Sequence, residues 1–143
     1  MESTADARLV WPLATMVALT LVVWVRLYFE RIGEMQERRI HPQKVATSQA
    51  AASVLTRTRA ADHFRNLFEM PVLFYAGVCV ALALSLHSDV LVVLAWAFAV
   101  LRVVHAAIAL TYNRVTHRFG VYVASCVPVW AFWGVLAWLL ARA

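Results

Sequence analysis

Long stretches without a single charge constrain this chain more than anything else in it. Leu9 to Val25 reads LVWPLATMVALTLVVWV, and Met70 to Leu86, Val90 to Leu101 and Val121 to Ala141 are likewise uncharged. A helix that crosses a hydrocarbon core needs roughly 17 to 25 predominantly apolar residues. The block from Val90 reaches that length at Tyr112 if Arg102 and His105 are tolerated inside it. Lipid also forbids open sheet, because unpaired backbone groups find no water there. The chain therefore reads as an all-α integral membrane protein, a bundle of four transmembrane helices spanning about 9–29, 64–87, 89–112 and 120–141 within one domain. Composition agrees: 63% of the 143 residues are hydrophobic, against roughly half in soluble domains.

The net charge of +5 is a matter of placement. Arg31, Arg38, Arg39, Lys44, Arg57, Arg59 and Arg65 fall between the first two spans, and Arg114 and Arg118 between the last two. Basic loops stay in the cytoplasm, so both termini are expected on the non-cytoplasmic side, and no nucleic acid is expected as a partner. The leader MESTADAR carries Glu2 and Asp6 against Arg8, unlike the basic start of a cleaved signal. That leader leans the expectation toward a bacterial inner membrane. Cys79 and Cys126 lie inside apolar blocks. They read as small buried hydrophobes, with no disulfide framework and no metal site.

Within the second span Pro71 lacks an N–H and crowds the carbonyl of Leu67, so a kink is expected there. Gln43 to Met70 contains no Gly or Pro, so this helix is expected to start near Thr47 to Val54, ahead of the membrane. Ser88 and Asp89 suit the cap and first turn of the third helix, and Asn113-Arg114 its end.

Polar residues at membrane depth face a bundle interior or a cavity and mark function by default. Counting about 1.5 Å per residue from the outer ends puts Arg26, Glu69, Arg102, His105 and Tyr122 at depths of about 20 to 30 Å, in one band near the cytoplasmic surface. Asp62, Asn66, Glu69 and Leu73 share one helix face; Arg102, His105, Ala109 and Tyr112 another; Arg118, Tyr122 and Ser125 a third. Arginine forks bind carboxylates bidentately, and Glu69 can take an ammonium group. A small zwitterionic or anionic ligand with several carboxylates fits that inventory. Simpler roles stand beside it: Arg26 snorkels, Glu69 pairs with Arg102 or Arg65, and His63 and His117 are solvated at the interface.

"RNLFE" before a proline-broken helix, "RVVH" at Arg102 to His105, "VRL" at Val25 to Leu27, and Arg118 with Tyr122 four later resemble the MAPEG family, the membrane-associated proteins in eicosanoid and glutathione metabolism. The resemblance implies a homotrimer of four-helix protomers that binds glutathione as co-substrate between subunits. It assigns Arg26, Arg65, Asn66, Glu69, Arg102, His105 and Tyr122 to the glutathione pocket and gives Arg118 the stabilisation of the thiolate. A small hydrophobic substrate would then enter from the membrane lipids. Phe119 and Ala109 stand where the prostaglandin synthase of the family has a serine and a tyrosine, which implies a bacterial-type member with general glutathione transferase or peroxidase activity. The alternative is a non-catalytic lipid-binding or accessory membrane protein on the same scaffold. A small multidrug transporter should carry its acid mid-membrane, away from arginines, and a haem or quinone protein would rest on His63 and His105.

Overall fold

The computed structural model describes residues 6–142; Glu2 of the leader lies outside them. A 3-10 turn at Ala7–Leu9 leads into α1, Val10–Glu37. Two short helices follow a second 3-10 turn: α2, Ser48–Val54, and α3, Arg59–Asn66. Then come α4, Met70–Ala83, α5, Asp89–Leu110, and α6, Val115–Leu140. Four segments are long and apolar enough to cross a membrane, α3 and α4 together making the second. No strand occurs among the described residues. This is an integral membrane protein of four helical spans.

α5 is the axis of the bundle and packs on α6, α1 and α3. Phe74 of α4, Phe98 of α5 and Phe132 of α6 meet in the core, with ring centroids 4.7 and 6.5 Å apart around Phe74. α4 packs against α6 at Gly77, where a Cβ would stand 3.1 Å from the Phe132 ring. One turn away the Trp133 indole N–H donates to the Leu73 carbonyl at 3.0 Å. Ser88 caps α5 through Leu91 N–H, as expected, and Asn113 takes a left-handed conformation just past its end, which Asn tolerates better than most residues.

The second span differs from its expected form. Instead of one helix running from near Thr47 to Val54 through the membrane entry, three segments occur. The break at Leu55–Thr58 is held by Glu34 of α1. Its carboxylate, 1% exposed, accepts from the Thr56 N–H and hydroxyl, the Arg57 N–H and the Arg38 guanidinium at 2.6 to 2.8 Å. The backbone turns toward that carboxylate instead of continuing as a helix. The second break lies where Pro71 predicts it. Helix α3 stops at Asn66, and α4 starts at Met70 with Pro71 in its first turn, where the missing N–H needs no partner.

The helices also run past their hydropathic limits. α1 extends to Glu37 and α6 begins at Val115 rather than near 120. Cys79 is exposed on the outside of the bundle and not buried, while Cys126 is half-buried. Its position on the outward face of α4 accounts for that, since apolar side chains there meet lipid rather than protein.

Candidate functional site

The break at Pro71 shapes what lies beside it. Past the end of α3 the Asn66 carbonyl accepts from the Glu69 N–H at 3.4 Å and from the Arg102 guanidinium at 3.2 Å, and the Asn66 side-chain oxygen accepts from the same guanidinium nitrogen at 2.6 Å. On its other side the Asn66 amide donates to Glu69 at 2.8 Å. Asn66 thus stands between a cation and an anion and passes polarisation from one to the other. Glu69 makes no ion pair among the described residues. The expectation of a direct arginine partner is replaced by this amide relay, because Pro71 turns the chain so that Asn66 fills the gap.

Arg102 is wholly buried. Its Nε and Nη1 have no hydrogen-bond partner within the chain, and neither do His63 Nε2 and His105 Nδ1. The two imidazoles lie side by side with centroids 5.1 Å apart. Tyr122 closes the group, its ring 5.8 Å from both His105 and the Arg102 guanidinium carbon. His63 is 3% exposed, not solvated as expected. The turn of α3 that follows the Glu34-held break points it at α5. His117 is exposed and within 3.2 Å of the Tyr112 hydroxyl.

Asn66, Glu69, His63, His105 and Tyr122 form the inner wall of a cavity of about 400 Å³ between α3, α5 and α6. Its lining is Arg59, Asp62, His63, Asn66, Glu69, His105, Ala109, Val115, Arg118, Phe119 and Tyr122. Three helical stripes read from the sequence, one each on α3, α5 and α6, therefore meet on one space. Arg118 is positioned by the Asn113 side chain, to which it donates at 2.8 Å. Arg59 is anchored on the Thr111 carbonyl at 2.6 Å. Val115 and Phe119 make one apolar side, with the Phe119 ring exposed on the outer surface.

Of the eight residues expected at a ligand pocket, Asn66, Glu69, His105, Arg118 and Tyr122 line this cavity, and Arg102 lies directly behind Asn66. Arg26 and Arg65 lie elsewhere. Arg26 donates to Glu30 at 2.8 Å and to the Leu110 carbonyl at 2.7 Å, tying α1 to the end of α5. Arg65 lines a separate small cavity beside α1 and α2. Sequence reasoning missed Arg59 and His63. The i, i+3, i+4 spacing of Arg59, Asp62, His63 and Asn66 could have found both. No group of three or more metal-ligating side chains occurs among the described residues.

Against known proteins, residues 9–138 match the family model described as "MAPEG family". No curated protein and no solved structure matches the chain.

Proposed function

The chain belongs to the MAPEG family, and from that premise we propose that it is a membrane glutathione transferase or peroxidase acting on hydrophobic electrophiles or hydroperoxides. The observation that carries this reading is the cavity, which holds two carboxylates, two arginines and an apolar flank in one space. Glutathione carries two carboxylates, an ammonium group and a thiol. In this reading Arg59 takes a carboxylate, Glu69 and Asp62 face the ammonium, and Asn66, His105 and Tyr122 fix the peptide between them. Arg102 acts through Asn66.

The chemistry then falls to Arg118. A free thiol has a pKa near 8.5, and adjacent positive charge favours the thiolate. The thiol gives up its proton, and the sulfur pair, held beside the Arg118 guanidinium, forms a bond to an electrophilic carbon as the leaving group departs. With a hydroperoxide, two glutathiones become the disulfide while the O–O bond is reduced to an alcohol and water. Val115 and Phe119 would let the apolar partner arrive from the bilayer. We further propose a homotrimer in a bacterial inner membrane, with glutathione bound between subunits and both termini on the non-cytoplasmic face. The clustering of basic side chains around the α1–α3 linker and the α5–α6 turn supports that orientation.

Arg118→Ala tests the assignment. Loss of one preorganised cationic donor costs on the order of 100- to 1000-fold in turnover. Conjugation of glutathione to an aromatic electrophile should fall by that amount while the oligomer keeps its mass; unchanged turnover would remove Arg118 from the mechanism. The non-catalytic reading predicts ligand binding with no conjugation in either protein.

A further inference from the structure

The arginines of this chain are held in two ways. Arg8, Arg26, Arg38, Arg57 and Arg65 each pair with a carboxylate, and none of them lines the cavity between α3, α5 and α6. Those in or behind that cavity are held by neutral oxygens. Arg59 donates to the Thr111 carbonyl, Arg102 to the two oxygens of Asn66, and Arg118 to the Asn113 side-chain oxygen. Asp62 and Glu69 line the same space, yet neither forms an ion pair with Arg59, Arg102 or Arg118. The difference matters for any anion that arrives. A carboxylate partner cancels most of the field of a guanidinium, whereas an amide oxygen fixes the same fork by hydrogen bonding and leaves its net charge intact.

We propose that Asn113 is a specificity-determining residue: it holds Arg118 through a neutral oxygen, so the uncancelled guanidinium discriminates an anionic sulfur group from an uncharged one. This rests on the glutathione reading and adds to it the feature that selects the charged form of the ligand. The local structure suits the task. Asn113 follows α5 with φ 50°, and its N–H closes on the Ile108 carbonyl at 2.9 Å. Arg118 stands in the first turn of α6, its own N–H on the Arg114 carbonyl at 3.0 Å. Both ends of the 2.8 Å side-chain bond therefore sit on backbone fixed by helix ends. Arginine only donates, so the Asn113 amide must present its oxygen. The left-handed turn by itself does not call for the amide, because glycine adopts that conformation without strain. Backbone shape and side-chain chemistry can thus be separated by substitution.

The test is calorimetric titration of the full chain in detergent with two glutathione derivatives that need no ionisation of a thiol. Glutathione sulfonate carries a fixed negative charge at the sulfur, and S-methylglutathione carries a neutral thioether. The wild type should bind the sulfonate about tenfold more tightly, roughly one charge-assisted hydrogen bond. Asn113→Asp keeps an acceptor and tolerates the left-handed turn, but its carboxylate cancels the Arg118 charge, so most of that preference should vanish. Asn113→Gly keeps the turn and removes the acceptor, and the preference should fall about threefold. S-methylglutathione should bind all three proteins alike. Undiminished preference in either variant, or no preference in a wild type that binds both derivatives, overturns the proposal and leaves the glutathione reading standing. A parallel loss of both derivatives in both variants would mark a turn-forming role alone and overturns it too. A wild type that binds neither derivative removes the glutathione reading, and the proposal with it.

Discussion

Two buried polar clusters lie at the basic end of this bundle, and they are built on opposite terms. Around Glu34 four donors converge on one carboxylate, and the carboxylate serves them all. Around Arg102 only one guanidinium nitrogen is engaged, and two imidazoles present nitrogens with no partner in the chain. Buried polar groups are normally satisfied, and an orphaned one calls for an explanation. The first cluster is a clasp that fixes where α3 begins. The second faces a cavity and has hydrogen-bonding capacity that a polar ligand would use. The candidate site is the place where satisfaction is incomplete, and the clasp keeps it in register.

Breaking the clasp should produce the largest change. Glu34→Ala strips the Thr56 and Arg57 N–H groups of their acceptor, and each part-buried donor left unsatisfied costs about 1 to 3 kcal/mol. Thermal unfolding in detergent should show a large drop in midpoint. If the midpoint holds, the linker has another anchor.

The open cluster should respond to ligand instead. A ligand that binds only the folded state adds about 2.7 kcal/mol at a hundred times its dissociation constant, so saturating glutathione should raise the wild-type melting midpoint. The Glu34→Ala protein, with α3 no longer held in register, should show a smaller ligand-induced rise from its lower base. Arg102→Met should act in the reverse way. Losing the guanidinium leaves the Asn66 side-chain oxygen without its donor, but it also removes a wholly buried charge with two unpartnered nitrogens, and the two effects oppose each other. The variant's unliganded midpoint should therefore stay near wild type while glutathione affinity falls about tenfold, roughly one charge-assisted hydrogen bond lost through Asn66. Calorimetric titration would measure it.

Smallest of all should be Asp89→Asn. The Arg8–Asp89 pair is 2.7 Å apart but exposed on both sides, and such pairs contribute little. An unchanged melting curve is expected; a marked drop would mean that the opposite end of the bundle has a clasp of its own.

The sequence revealed some of this more clearly than the rest, for physical reasons. Spans follow from local hydropathy, which the bilayer turns into structure directly. Pro71 and Ser88 act on their own helix turns, so the break and the cap were legible residue by residue. Asn66, Glu69, His105, Arg118 and Tyr122 declared themselves as polar groups at membrane depth on helical stripes. The Glu34 clasp did not, because it joins residues more than twenty positions apart and nothing local marks Thr56 as a turn. His63 was hidden for a related reason: its burial depends on that turn. Arg26 shared a depth with the site but not a direction, since depth counting is blind to rotation about the helix axis. The early start of α6 was masked by the charged residues it carries out of the lipid.

One measurement reaches the centre of this account: ultraviolet difference spectroscopy of glutathione bound to the detergent-purified protein, with Arg118→Ala alongside. The account predicts a thiolate band in the wild type that is absent from the variant. A wild-type protein that shows no band at saturating glutathione would contradict it.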